Sequence, residues 1–256
     1  MKIKTVTWNI GGAKTLEPGA DPELMASYNV DAIDYIVDKL SILEPDVIAF
    51  QEIQKNDVYD QAEIIATKLG YKYFIHQSFS WSHNEDDAQL GNAIISKYPI
   101  SQPKSGKFIN PGVTVTWEDG RTVETHDKGY IQGVIEVNGK RILLSTLHLT
   151  PFRKFGMEYT DPKAVEILSD VSRKLTQTRI DYSLVLGDFN IDNQTVSEFL
   201  PGLTDNGFEE VPSDEATTPK GRKYDHVLYK GLRMFSKGID SSVLTDHYLL
   251  TTDFDI

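Results

Sequence analysis

Eight residues of this chain are of types that do chemistry, and they share one kind of place. Asn9 ends a strand-like run that starts at Ile3, and Glu52 ends another that starts at Asp46. His148 closes a third apolar run, and Gly187-Asp188-Phe189-Asn190 closes a fourth. Asp225 opens the next run, and Asp246-His247 begin the last. Strand ends and the loops beside them are where rigid scaffolds present catalytic groups. Glu52, Asp188 and Asp246 are hard oxygen donors, and Asn9 and Asn190 add neutral carbonyls. Such a set suits Mg2+, Mn2+ or Ca2+ better than zinc. Two histidines with a nearby carboxylate add an acid/base group and a donor for charge building on phosphate oxygens. No GxxxxGK[ST] loop is present, so triphosphate chemistry by that route is not expected. The chain has no cysteine, which excludes a disulfide framework, cysteine-liganded zinc and a thiol nucleophile together.

The elements that must position these groups follow from periodicity. Val30, Ile33, Ile36, Val37, Leu40 and Leu43 recur at helical spacing and predict a helix from about Asn29 that stops before Pro45. Residues 46–52 are nearly all apolar, the pattern of a strand buried on both faces. Ile64, Ile65 and Leu69 predict a second helix closed by Gly70. Strand-like runs follow at Tyr71–Gln77 and Gly91–Ser96. From Ile100 to Leu149 short β-rich runs are separated by Asn110-Pro111-Gly112, Glu118-Asp119-Gly120 and Asn138-Gly139. The last of these joins Ile131–Val137 to Arg141–His148 as a hairpin, because Asn-Gly fits a type I′ turn. Ala164, Val165, Ile167, Leu168, Val171 and Leu175 predict a third helix. Ser183–Phe189 reads as a buried strand, and Tyr224–Tyr229 and His247–Asp253 as the last two. Strand–helix–strand units at both ends with hairpins between them imply two packed sheets with helices outside. No repeat or long linker divides the chain, so residues 1–256 read as a single domain.

Seven segments then stand in a familiar order: Thr7-Trp8-Asn9, Phe50-Gln51-Glu52, Gly91–Ile100, Thr146-Leu147-His148-Leu149, Gly187-Asp188-Phe189-Asn190, Tyr224-Asp225-His226-Val227 and Thr245-Asp246-His247. With these the chain resembles the endonuclease/exonuclease/phosphatase superfamily, the DNase I-like proteins. The resemblance implies an α/β fold, a DNase I-like four-layer sandwich of two packed mixed β-sheets flanked by helices. It implies a metal-dependent phosphoric ester hydrolase in which water attacks phosphorus in line. In that scheme Asn9 and Glu52 hold the cation (Mg2+ or Mn2+, with Ca2+ an alternative), with Asp246 nearby. Asp188 and Asn190 orient the attacking water and one phosphate oxygen. His247 is the general base, held in its tautomer by Asp225, and His148 donates to the transition state. Asn92 and Lys128 are secondary substrate-binding candidates; Asn92 also reads as a turn-shaping residue and Lys128 as an exposed lysine at a strand start.

Each residue has a plainer reading by itself. Asn9 could be a turn residue before Gly11-Gly12, Glu52 a solvated carboxylate, His148 a satisfied core histidine, Asp188 and Asn190 helix caps, and Asp246-His247 a turn. Seven segments in one family's order outweigh those readings. His226 faces away from Asp225 by strand alternation and is set aside. His76, His83 and His126 show no ligand spacing and are expected at the surface. Trp81 reads as a loop anchor before it reads as a substrate contact. A carboxylate partner for His148 can be sought among Glu85, Asp86 and Asp87 by position only.

Composition narrows the substrate less. The net charge is −12, and the four site carboxylates account for only part of it, so the chain lacks the footprint of an avid duplex binder. Fragments of a basic rim exist at Lys104 and Lys107, at Arg153 and Lys154, and at Lys220, Arg222 and Lys223, each of which reads first as a solvated loop charge. The expected substrate is a phosphoester, and the expected activity that of a nuclease-type or related phosphodiesterase. A lipid (sphingomyelinase-like) or small-molecule phosphoesterase is the alternative, and a non-catalytic binding module the second. The polar stretches Ser78–Leu90 and Pro151–Pro162 would set substrate choice. No signal peptide or membrane span is visible and no obligate protein partner is indicated, so a cytoplasmic enzyme is the expectation.

Overall fold

The structure, a computed structural model, describes residues 2–82, 85–116, 120, 122–192 and 194–256; His83 and the expected turn residues Glu118 and Asp119 lie outside them. Two six-stranded sheets face each other. The first runs, in spatial order, β15 (Arg233–Asp240), β16 (Leu249–Asp255), β1 (Lys2–Asn9), β4 (Val47–Lys55), β6 (Gln89–Ser96) and β5 (Tyr73–Trp81). The second runs β13 (Glu209–Glu210), β14 (Asp225–Lys230), β12 (Tyr182–Asp188), β11 (Lys140–His148), β10 (Gly129–Val137) and β7 (Ser101–Lys107). Two small hairpins pair β2 (Lys14–Leu16) with β3 (Tyr28–Asp31), and β8 (Thr114–Thr116) with β9 (Thr122–Glu124).

Each sheet contains one parallel pair, and each parallel pair needs a crossover helix. α1 (Ile33–Leu43) lies between β1 and β4 in the chain, and α3 (Pro162–Thr176) lies between β11 and β12. α1 and α2 (Gln61–Leu69) pack Ile36, Leu40 and Ile65 against Val6, Trp8, Ile48 and Phe50 on the first sheet. α3 packs Ile167, Leu168 and Val171 against Leu147, Val185 and Leu228 on the second. Ile3, Val47, Ile94, Ile142, Leu144, Leu184, Leu186 and Val227 fill the space between the sheets. Helix, sheet, sheet and helix make the four layers expected.

The inner faces of the strands change character along their length, and this gradient builds the site. Alternation puts Ile3, Thr5, Thr7 and Asn9 on one face of β1. The corresponding rows are Val47, Ala49 and Gln51 on β4; Ile142, Leu144, Thr146 and His148 on β11; and Leu184, Leu186 and Asp188 on β12. Register aligns their polar ends, with Asn9 opposite Gln51, His148 opposite Asp188, and Asp188 opposite Asp225. Just below the rim Gln51 Nε2 donates to Thr146 Oγ1 across the gap at 2.8 Å, so the buried amide is satisfied by the facing sheet.

Several local expectations hold. Gly70 ends α2 in the left-handed region, and Asn138 and Gly139 both have positive φ between β10 and β11, as a type I′ turn requires. Others are corrected. The first helix begins at Ile33, because residues 28–31 pair with β2 instead. β5 extends to Trp81, which stands 64% exposed at the strand's end. β15 was not anticipated between the last two expected strands; it is a half-exposed edge strand with a register shift near Phe235 that erases a simple alternation. His76 is not a surface residue, since its side chain is enclosed against Asp60 with Nδ1 2.7 Å from Oδ1. No helix among the described residues is long and apolar enough to cross a membrane.

Trp8 links this core to the site. Its ring is fully buried, and Nε1 donates to Thr245 Oγ1 at 2.9 Å and to the His247 carbonyl at 3.2 Å. Trp8→Ala is expected to cost about 3–5 kcal/mol in urea denaturation, from reduced burial and the cavity left behind. A cost under about 1 kcal/mol would show that the loop carrying Asp246 and His247 is held by other interactions.

Candidate active site

Asp188 is the hub of the rim. The main-chain N–H of Asn190 donates to its Oδ1 at 2.8 Å, and Asn9 Nδ2 donates to its Oδ2 at 3.1 Å across the two sheets. His148 Nε2 lies 3.3 Å from the same Oδ2, and His247 Nε2 lies 3.8 Å from it. Gly187 lets the strand approach β11 here: a Cβ on it would sit 2.1 Å from the Leu147 carbonyl oxygen. Asn190 follows with φ of 49°, a conformation that costs a non-glycine residue energy and recurs at functional positions. Its Nδ2 donates to the Leu149 carbonyl at 2.9 Å, which sets the side chain's orientation.

His247 and Asp225 form a tight pair, with Nδ1 2.7 Å from Oδ2. The main-chain N–H of Asp225 donates to Thr217 Oγ1 at 3.1 Å. Burial pulls the imidazole down, but Asp225, Asp188 and Asp246 outweigh it and hold His247 up at about 10. Burial, with Asp225 adding to it, pushes Asp188 up to about 6. Asp246 is also raised, by burial first, with Glu52 and Asp225 contributing.

Glu52 reaches the rim through a bulge. Gln51 pairs with Asn92 and Ile53 with Gly91, so Glu52 is the extra residue, with φ of 52°. Strict alternation would turn Glu52 toward the helices with Ile48 and Phe50; the bulge returns Ile53 to that side and frees Glu52 from it. Lys128 Nζ lies 3.4 Å from Glu52 Oε1 and 3.1 and 3.2 Å from the two ring nitrogens of His148. Burial and then Lys128 keep His148 well below the ordinary histidine range, so it is neutral. Its partners fit an Nε2–H tautomer facing Asp188, with Nδ1 accepting from Lys128.

The expected residues thus fall into one place with different neighbours from those anticipated. Lys128 is enclosed, with a side chain only 17% exposed. The carboxylates beside His148 are Asp188 and Glu52 (the latter 3.7 Å from Nδ1), whereas Glu85 bonds Tyr59 and Lys14. Asn92 is buried and donates to the Gly129 carbonyl at 2.9 Å, joining the sheets beside a small cleft that also borders Glu52, Lys128 and His148. His226 faces away, as alternation requires, between Glu210 and the Ile191 carbonyl. Lys154, read from the sequence only as a fragment of a basic rim, acts on both His148 and Asp246, and Tyr224, read only as part of a motif segment, has its ring 6.2 Å from that of His247. Both neighbour motif residues in the chain, but nothing in a single sequence says which way a loop side chain turns.

The sequence model of the Endonuclease/Exonuclease/phosphatase family matches residues 6–247. The chain belongs to that family. Membership sets the class of activity as phosphoester hydrolysis. The fold agrees: an endonuclease/exonuclease/phosphatase from Beutenbergia cavernae DSM 12333 superposes with a TM-score of 0.75 at 16% identity, over 100% of this chain and 72% of that one. An AP endonuclease from Archaeoglobus fulgidus gives 0.66 at 16% identity, covering 99% and 100%. D. rerio TDP2 complexed with single strand DNA product gives 0.64 at 15% identity, covering 100% and 99%. Among curated proteins, none matches the chain.

The rim of this family member could hold a divalent cation. Two carboxyls raised by burial and by neighbouring carboxylates are a charge arrangement that a cation relieves. Gly11 keeps space for one of them, since a Cβ there would lie 3.0 Å from Asp246 Oδ1. Among the described residues, Asp188, Asp225 and His247 offer ligand atoms within 4.8 Å of one another. His247 Nδ1 is already engaged with Asp225, however, so this trio suits proton transfer better than a cage.

Proposed function

We propose that this chain is a divalent-cation-dependent phosphodiesterase of the nuclease type, acting as one domain across residues 1–256. The observation that carries the reading is the convergence on Asp188 Oδ2 of Asn9, His148 and His247 from three different strands or loops. The likeness to an AP endonuclease and to TDP2 with a single-strand DNA product supports nucleic acid as the substrate class.

Asn9, Glu52 and Asp246 would hold Mg2+ or Mn2+. When bound, such an ion stabilises charge developing on the phosphate and the leaving oxygen. The side chains divide the remaining work. Asp188, raised to about 6, is a carboxylate at neutral pH with enough basicity to accept the proton of the attacking water. Asn190 orients that water. His247, held as imidazolium by Asp225, donates toward the departing oxygen. Neutral His148 donates its Nε2–H to a non-bridging oxygen, and Lys128 adds positive charge beside it. The oxygen–phosphorus bond forms as the opposite phosphorus–oxygen bond breaks; one proton reaches Asp188 and one leaves His247. The family resemblance gives the base role to His247. The charges of the cation-free chain favour Asp188 instead, because His247 already carries its proton.

The test is hydrolysis of bis-p-nitrophenyl phosphate with Mg2+ or Mn2+. Activity is expected with the cation and is expected to vanish with a chelator and return on adding the metal. Turnover that a chelator leaves intact would end the cation-dependent reading.

A further inference from the structure

The structure sorts the basic fragments of the sequence. Lys104 bonds Gln177, Lys107 pairs with Asp127, and Lys223 pairs with the half-buried Glu210. Arg153 and Lys154 lie on a short 3-10 helix and Arg222 in a loop, all next in the chain to strands that supply the rim, although Arg153 also pairs with Glu158 and Arg222 with Asp192. Arg153 and Lys154 follow β11, Asp192 follows β12, and Arg222 and Tyr224 precede β14; these are the strands that supply His148, Asp188 and Asp225.

Four of these side chains make a connected group. Asp192 is 5% exposed, and Arg222 Nη1 donates to its Oδ2 at 2.8 Å. Among the described residues its Oδ1 is buried without a partner. A carboxylate oxygen withdrawn from water and left unbonded is costly, so a donor from outside the chain would be well received there. The Asp192 N–H donates to Tyr159 Oη at 3.0 Å, and the Arg153 guanidinium lies 4.9 Å from the centroid of the same ring. Burial raises the Tyr224 phenol, with Asp192 and then Asp188 adding to it and Arg222 opposing, so the ring shares the electrostatic field of this group and of the catalytic centre. Tyr224 is half-buried, and its ring centroid lies 6.2 Å from that of His247.

We propose that Arg153, Asp192, Arg222 and Tyr224 form a subsite for the nucleotide next to the scissile phosphate in a single-stranded nucleic acid. This rests on the phosphodiesterase reading above and names its substrate class. Arg153 spends its Nε on Glu158 at 3.1 Å and Arg222 its Nη1 on Asp192 at 2.8 Å, and the other N–H groups of these exposed guanidiniums call for an anionic acceptor beyond the phosphate being cut. A neighbouring phosphodiester supplies it, and the choline cation of a zwitterionic lipid headgroup does not. The Tyr224 ring offers stacking to an unpaired base, which a duplex would keep in its own stack. The orphaned Asp192 oxygen accepts from a sugar hydroxyl or a base amino group.

The experiment compares kcat/KM with Mn2+ for a ten-nucleotide single-stranded DNA, the same RNA, sphingomyelin vesicles and bis-p-nitrophenyl phosphate. It uses the wild type, R153A/R222A, R222K and Tyr224→Ala, each checked by thermal melting. The oligonucleotide to bis-p-nitrophenyl phosphate ratio is expected to fall about 10-fold or more in R153A/R222A, with partial recovery in R222K, and about 5- to 100-fold in Tyr224→Ala. The slope of log kcat/KM against log salt for the oligonucleotide should become shallower by about 0.7 for each phosphate that the variant no longer neutralises. A ratio and slope unchanged in folded variants would overturn the subsite. Wild-type turnover of bis-p-nitrophenyl phosphate together with vesicles but not oligonucleotides would also overturn it, and would leave the phosphodiesterase reading standing. Wild type inert on every substrate with Mn2+ would remove both.

Discussion

Asp188→Asn is expected to lower kcat on bis-p-nitrophenyl phosphate by about 10³- to 10⁴-fold, within the range for removal of a general base plus its electrostatic share. The size follows from position: one oxygen meets Asn9, His148 and His247, and no other described carboxylate meets all three. An asparagine keeps an acceptor for the Asn190 N–H but cannot take a proton from water. The same change has a signature in stability. The Asp188 carboxyl is raised from its ordinary 3.8 to about 6, so the folded state binds this proton more tightly than the unfolded chain. Its contribution is fully present below about pH 4 and is lost as pH rises through 6. The cation-free wild type should therefore lose stability between pH 4 and 6, and the variant should lose less over that window. Thermal melts in chelator at pH 4, 6 and 8 measure this. A variant with near-normal kcat would remove Asp188 from the reaction.

Asp225→Asn is expected to cost about 10²- to 10⁴-fold in kcat through His247, because an amide can neither fix the imidazole tautomer nor stabilise the imidazolium. His247 is raised from 6.5 to about 10, so its interaction stabilises the fold fully below pH 6.5 and is lost as pH rises through 10. Removing Asp225 takes away the largest attraction on that proton. The variant's His247 should then titrate below about 10, and its melting temperature should fall less between pH 7 and 10.5 than that of the wild type. A ¹H–¹⁵N titration of the imidazole reads the first quantity directly. His247 still titrating near 10 in the variant would mean that Asp188 and Asp246 alone hold the proton.

Much of this was legible from the residues, and the limits were local. Asn9, His148 and Asp188 sit on regular strands, where alternation carries each to an inner face. Glu52 sits on a bulge, where alternation points the wrong way; only the Gln51–Asn92 and Ile53–Gly91 pairings reveal its direction. Val30 fitted a helical stripe, yet the chance to pair with β2 drew it into a strand, since six apolar positions do not say where a helix begins. β15 was missed because an edge strand with a bulge and mostly exposed side chains has no clean period. Lys128 read first as an exposed strand-start lysine and second as a phosphate contact, and neighbours 76 and 20 residues away enclose it instead.

The order of chemical groups along the chain, and the secondary structure that carries them, followed from the residues alone. Both depend on near neighbours: periodic side chains, turn residues and short motifs. Packing in three dimensions decided which groups share space, as with Asn9 and Asp188, 179 residues apart. It also decided their charge, because His247 keeps its proton and Asp188 holds one weakly through burial and the carboxylates packed around them. Those forces act over ångströms through space, and a linear order of residues does not contain the distances.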